Sequence, residues 1–373
     1  MFAAEPIPAS IPAAVLRGPQ DLVLERIPQW SLESYGDEDL MLIEVGACGV
    51  CGSDYRYFAG ENPWAQHTLG RFVPNPPNIV LGHEYAGRVV KVGSKENENW
   101  LGKRVAPICS KVCGVCEECC AGRAHLCPNT VHMGHGQGWG ERDFFPGAYA
   151  PYTLAWGAEC FEIPDHVTYQ EAAMMDILAV CVHAANTAGD FRGRDILVIG
   201  SGPAGNGIAQ ACLLKGASKA VLLDRSPIAL DVGRRQAFGT VVDSPNGLQK
   251  GFGAIFDTVG TPETFQLGLD LLGNRGTLVN LAIHDQPMTL NLMNLGSERR
   301  ITTSCNFERK DFEEALEALA DGRFQVREWQ TLVAVRELPN LFRRALNEPN
   351  HIAFKLVVDP GLSGWTEGLL TPR

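Results

Sequence analysis

The chain has 373 residues, 45% of them hydrophobic and 20% charged, with a formal net charge of −11 at pH 7. That length exceeds one ordinary hydrophobic core and predicts a soluble protein of two domains, while an acidic balance without clustered Lys and Arg excludes a nucleic-acid partner. The N-terminus lacks a basic stretch leading into an apolar one, and no run reaches the roughly 18 apolar residues of a membrane span, so a cytoplasmic location without membrane contact is expected.

Residues 12–160 alternate short β-like runs (AAVLRG, LVLERI, DLMLIEVGA, GRVVKVG) with Gly, Pro and Asn clusters, as an irregular all-β or α+β domain would. Two Gly-flanked turns in this stretch, GVCGSD at 49–54 and GHE at 82–84, each offer one good zinc ligand, Cys51 and His83. Either alone is uninformative, because a lone buried Cys is usually a small hydrophobe and a lone His a satisfied polar residue. Tyr57 and the loops ENPWAQHTLGRFVPNPPN and HMGHGQGWGERDFFPG, with Trp64, His67, Trp139 and Phe144, supply aromatic groups that either line a ligand site or pack locally.

The segment CGVCEECCAGRAHLC holds Cys113, Cys116, Cys119 and Cys127. Four thiolates so close in sequence can close a tetrahedron around one zinc ion, and a site with no open position is structural. Two overlapping CxxC steps are too tight for good disulfide geometry. Cys109 and Cys120 stand beside the motif without fitting it, as free thiols or register alternatives. Twelve cysteines suit a reducing compartment if several are metal ligands.

From about residue 168 strands alternate with helices. A helix is predicted over 168–188, then the strand Ile196–Ile199, a helix over 204–215, the strand AVLLD, a helix over 226–237, strands at 253–258 and 276–282, and a helix over 310–321. This alternation predicts a parallel sheet with crossover connections, a doubly wound α/β domain. The tail run HIAFKLVVDP returns by composition to the first domain.

The first of these strands runs into Gly200-Ser201-Gly202-Pro203-Ala204-Gly205, a GxGxxG turn opening a helix. Such glycines permit a tight turn and close approach of a pyrophosphate to the helix N-terminus. Asp224 ends the next strand, about 20 residues on, where its carboxylate can accept hydrogen bonds from the adenosine ribose and repel a 2′-phosphate. NAD is therefore expected over NADP, although the neighbouring Arg225 could pair a phosphate.

Taken in order, GVCGSD, GHEYAGRVVKVG, the four-Cys loop and GSGPAG with its Asp resemble the zinc-dependent medium-chain alcohol and polyol dehydrogenase family over nearly the whole chain. The resemblance implies an α/β fold: a GroES-like, β-rich catalytic domain over residues 1–165 and 322–373, with its zinc lobe near 109–128, and a Rossmann NAD-binding domain over 166–321. It implies one catalytic and one structural zinc per chain, and NAD with the catalytic zinc in the cleft between domains. Cys51 and His83 become catalytic zinc ligands, with the third from Asp176, which is isolated among apolar residues, or from Glu84.

Ser53 falls where the family places the hydroxyl that takes the substrate proton, and Asp54 where a residue supports the zinc ligands. Arg56 stands where many members continue the proton relay with a His. Arg cannot release its proton at working pH, so it ends that route and either contacts substrate or forms a surface ion pair. The expected reaction is hydride transfer between a secondary alcohol, on a polyol, sugar or related molecule, and NAD, in a homodimer or homotetramer. The alternatives are an NADP-linked carbonyl reductase or aldehyde dismutase of the same architecture, and a non-catalytic zinc and nucleotide-binding protein with metal in the four-Cys loop alone.

Overall fold

The computed structural model describes residues 7–135, 144–283, 286–348 and 353–362. Two units form, residues 1–176 with 330–373, and residues 177–329. The first opens with β1 (Ser10–Gly18) and β2 (Asp21–Pro28), an antiparallel pair. Next, β3 (Leu40–Gly49) leads into α1 (Gly52–Ala59) and α2 (Pro63–Leu69), and the short β4 (Ile79–Val80) precedes β5 (Glu84–Val92). The cysteine loop is framed by β6 (Arg104–Pro107), β7 (Ser110–Lys111), α3 (Glu117–Cys120) and β8 (Val131–His132). Then come β9 (Tyr152–Trp156), β10 (Cys160–Glu162) and α4 (Tyr169–Ala172).

The organising strand is β3. It pairs antiparallel with β5 from Met41↔Val92 to Gly49↔Glu84, and with β9 from Leu40↔Trp156 to Glu44↔Tyr152. With neighbours on both sides it is buried along nearly its whole length, which is why LMLIEVGACG reads as an apolar run instead of an alternation.

The stretch predicted as one helix over 168–188 is two, α4 and α5 (Met175–Thr187). In α4, Thr168 and Glu171 form a reciprocal N-terminal cap. The second unit then alternates β11 (Asp195–Ile199), α6 (Pro203–Leu214), β12 (Lys219–Leu223), α7 (Pro227–Gln236), β13 (Thr240–Val242), β14 (Phe252–Asp257), α8 (Pro262–Leu271), β15 (Leu272–Asn280), β16 (Arg300–Thr303) and α9 (Arg309–Ala320). Proline begins α6, α7 and α8, where its missing N–H goes unneeded, and the side chains of Ser226 and Thr261 cap the last two. The six strands are all parallel in the order β13-β12-β11-β14-β15-β16. This is the doubly wound dinucleotide-binding order, and chain direction across the sheet reverses between β11 and β14.

The chain returns with β17 (Gln330–Val333), α10 (Leu338–Asn347) and β18 (Lys355–Val358). Strand β18 joins the free edge of β3 through Val357↔Gly49 and Val358↔Cys48, completing a sheet in the order β10-β6-β5-β3-β18-β17, with β9 also on β3. The core of this unit includes Tyr57, Phe58, Tyr149, Trp156 and Phe342. Among the described residues no helix is long and apolar enough to cross a membrane.

Candidate metal centres and dinucleotide turn

The four-Cys loop folds back so that the sulfurs of Cys113, Cys116, Cys119 and Cys127 all lie within 4.8 Å of one another. Cys127 Sγ is 3.5 Å from that of Cys113 and 3.8 Å from that of Cys116. A zinc tetrahedron with bonds of about 2.3 Å has sulfur–sulfur edges of about 3.8 Å, so the donors stand at zinc spacing. Backbone amides of Val115 and Cys116 stabilise the Cys113 thiolate and bring its pKa down to about 6. Cys109 and Cys120 are not in the set: Cys109 is buried against the His83 carbonyl, and Cys120 is exposed. Among the described residues, the twelve cysteines form no disulfide.

The second cluster is made by strand register. Gly49 at the end of β3 pairs with Glu84 at the start of β5, which brings the turn after one strand beside the turn before the other. The donor atoms of Cys51, His83 and Glu84 lie within 4.8 Å of one another. Cys51 is the N-cap of α1, and its backbone N–H donates to Asp54 Oδ2 at 2.9 Å. The same Asp54 oxygen accepts from the Tyr149 hydroxyl at 2.7 Å, and Oδ1 stands 3.5 Å from His83 Nδ1. One fully buried carboxylate thus positions both a thiol and an imidazole.

Burial disfavours charge on His83, but Asp54 and Cys51 more than offset it and hold the imidazole well above its ordinary value. The pocket is therefore built to hold positive charge. A sulfur, a nitrogen and a carboxylate oxygen suit zinc, and the buried Oγ of Ser53, two residues after Cys51, makes no hydrogen bond, so the residues present fit a metal with an exchangeable ligand.

Asp176, in the first turn of α5, is not one of the three clustered donors. Burial lifts its carboxyl to about 6, His83 opposes the rise, and Glu84 adds to it. Lys355 was not foreseen from sequence. It projects from β18 into the interior, only 5% exposed, and forms an ion pair with Glu84. Burial opposes its charge, yet Glu84 and Cys51 keep the ammonium above its usual value. The signal available was a lone lysine inside an apolar strand, a residue rarely buried without a partner.

Arg56 is held by Glu61, with Nε to Oε2 at 2.6 Å, and donates to Gln66 Oε1 at 3.2 Å. Tyr57 belongs to the core and Phe144 packs against it. Trp64 stands edge-on to His132 with centroids 4.2 Å apart. Two histidines that the sequence did not single out lie in this region: His135 packs against His83, and His132 stacks on His135; burial lowers His132 to about 3 and His135 well below the ordinary value, with the charge of His83 adding to both. Trp139 and the side chain of His67 lie outside the described residues.

In the other unit, Gly200 follows β11 with φ +90°, a conformation that favours glycine. A side chain at Gly205 would run into the Gly200 carbonyl, whereas nothing lies within 4 Å of where one would sit at Gly202. Gly205 therefore serves close packing of α6, and Gly202 leaves open space in front of the helix N-terminus formed by Pro203 and Ala204, as a pyrophosphate requires. Asp224 Oδ2 accepts from the Ser201 N–H at 2.6 Å and Oδ1 from those of Arg225 and Ser226 at 2.7 Å, fixing the carboxylate at the end of β12. Arg225 is exposed.

Residues 37–165 match the alcohol dehydrogenase GroES-like domain, and residues 203–321 match the zinc-binding dehydrogenase domain. L-threonine 3-dehydrogenase of Pectobacterium carotovorum subsp. carotovorum (strain PC1) is 30% identical over 275 residues, 70% of this chain and 75% of that protein. The structure of acetophenone reductase from Geotrichum candidum NBRC 4597, in complex with NAD, has a TM-score of 0.78 at 25% identity, covering 95% of this chain and 98% of the other. A structure from Sinorhizobium meliloti 1021 described as a zinc-binding dehydrogenase and bound to NADP has a TM-score of 0.80 at 23% identity, covering 95% and 100%, and shares the fold. Two matched domains in chain order, and a relative of this identity over three quarters of its length, make this chain a member of the zinc-dependent medium-chain dehydrogenase family, an oxidoreductase with GroES-like and Rossmann domains.

Proposed function

We propose that the protein is a zinc-dependent dehydrogenase, working in the cytoplasm as a homodimer or homotetramer, that transfers hydride between NAD and a secondary alcohol on a polyol, sugar or related hydroxylated substrate. The observation that carries this reading is the meeting of the donor atoms of Cys51, His83 and Glu84 within 4.8 Å. Cys51, His83 and Glu84 would hold one zinc ion, with Asp176 the alternative third ligand, and the four-Cys loop a second. Bound zinc would polarise the substrate oxygen and favour its deprotonated form, while bound NAD would accept or return hydride.

The chain's own residues do the rest. Asp54 keeps Cys51 and His83 in place, Lys355 balances the charge of Glu84, and Ser53 Oγ takes the hydroxyl proton of the substrate. Arg56 is occupied by Glu61 and cannot give up a proton, so it does not carry that proton onward. Asp224 favours NAD by repelling a 2′-phosphate. The exposed Arg225 beside it favours a second reading, NADP-linked carbonyl reduction.

Metal analysis and NADH absorbance across alcohols, polyols, sugars and hydroxy-amino acids test the proposal. The expected result is two zinc ions per chain, one lost on Cys51→Ser together with activity, and a higher kcat/KM with NAD than with NADP. Zinc in the four-Cys loop alone, with no alcohol oxidised, would establish the non-catalytic alternative instead.

A further inference from the structure

The ring of His135, packed against His83, has no part in the chemistry above and lacks hydrogen-bond partners. His135 is 9% exposed, and neither Nδ1 nor Nε2 makes a hydrogen bond. Its ring stands edge-on to His83 at 4.0 Å between centroids and lies stacked on His132 at 4.5 Å. Tyr57 at 5.7 Å and Trp64 at 5.9 Å wall it in. A phenylalanine would fill this aromatic slot without burying two unsatisfied nitrogens, which carry a desolvation cost. Buried polar groups without a protein partner call for an occupant that supplies one. A neutral imidazole offers one donor and one acceptor, which matches a hydroxyl or an amino group.

We propose that His135 is a substrate-recognition residue that hydrogen-bonds a hydroxyl or amino substituent on the carbon next to the reacting carbinol, so that the enzyme selects vicinally substituted secondary alcohols over plain ones. This rests on the reading of Cys51, His83 and Glu84 as the catalytic metal site: an oxygen held there has its neighbouring substituent within reach of a ring in contact with His83. The inference concerns hydrogen bonding at a fixed protonation state, and no proton transfer by His135 is involved.

The test uses the full-length zinc-loaded protein and three probes of one carbon skeleton: 2,3-butanediol, 3-amino-2-butanol and 2-butanol. The wild type is expected to prefer at least one vicinal probe over 2-butanol by about tenfold or more in kcat/KM, and which one identifies the substituent. In His135→Phe that ratio falls by about 10- to 100-fold, the range expected when a buried hydrogen bond is lost. The same fall is expected in the ratio of dissociation constants measured by calorimetry with ADP-ribose present, which lacks the nicotinamide and cannot accept hydride. His135→Gln keeps a donor and an acceptor and retains more of the ratio, and equal loss in both variants overturns the hydrogen-bond argument. A wild type that binds two zinc ions and oxidises alcohols without vicinal preference overturns the inference alone, whether or not the variants fold. A wild type with one zinc and no alcohol oxidation removes the metal-site reading and this inference with it.

Discussion

Replacing Asp54 with Asn separates the organisation of the metal site from the stability of the fold. The carboxylate is fully buried and joins three groups: the Cys51 N–H at 2.9 Å, the Tyr149 hydroxyl at 2.7 Å and His83 Nδ1 at 3.5 Å. Asn keeps the volume and one carbonyl oxygen, but removes the charge and loses an acceptor towards His83. A hydrogen bond to a charged group contributes roughly 1.5–3 kcal/mol against roughly 0.5–1.5 for a neutral one, so two weakened bonds cost about 2 kcal/mol. Part of that is offset because no charge need then be buried, leaving a net loss of about 1–2 kcal/mol. Loss of a group that orients a metal-binding histidine weakens the metal by about 10- to 100-fold, or about 1.4–2.7 kcal/mol. Chelator competition that follows the two zinc ions separately, with calorimetric unfolding alongside, reads both quantities. One zinc should leave Asp54→Asn at a 10- to 100-fold lower chelator strength while the four-Cys zinc is unmoved. If both ions leave as in the wild type, or both weaken together, Asp54 has no special role in the catalytic site.

Gly205→Val forces the side chain into the Gly200 carbonyl, so a loss of about 1–3 kcal/mol and of ADP-ribose binding by calorimetry is expected. Gly202→Ala meets no atom within 4 Å and should leave Tm nearly unchanged while still weakening ADP-ribose; tight binding in both variants would contradict the assignment of the turn. Cys116→Ser should lower the zinc content by one ion per chain and lower Tm, and unchanged zinc stoichiometry would count against a metal in that loop. In the dinucleotide unit, burial disfavours the charge of Asp311, but hydrogen bonds from His183, the Glu308 N–H and Asn186 outweigh it and hold the carboxyl below its ordinary value of 3.8. Its contribution is therefore complete above pH 3.8 and lost as pH falls through the lower folded value. Asp311→Asn should cost about 1–3 kcal/mol near neutrality, with the gap from wild type closing in strong acid; a gap independent of pH in thermal unfolding would refute it.

Much of the architecture was legible in the residues themselves. The four-Cys loop and the GxGxxG turn are contiguous, so the chemistry they serve is written in neighbouring positions, and the alternation of strand and helix announced the parallel sheet. The helices expected over 204–215 and 226–237 are α6 and α7, whereas α8 was not among the expected elements although Pro262 and the capping Thr261 mark its start. The break between α4 and α5 carried no comparable mark, because Ala173 and Met174 are compatible with a continuous helix.

The composition of the Cys51, His83 and Glu84 cluster is another matter, because it is settled by pairings distant in sequence. Cys51 meets His83 and Glu84 because Gly49 pairs with Glu84 across β3 and β5, and Lys355 joins them because β18 closes on the other edge of β3. Since side chains alternate faces along a strand, a slip of one residue in either pairing would send a donor away from the others. No local pattern encodes that register. It comes from the burial of β3 between its neighbours. The chain's motifs thus name the chemistry, while the ladder around β3 decides which side chains share it.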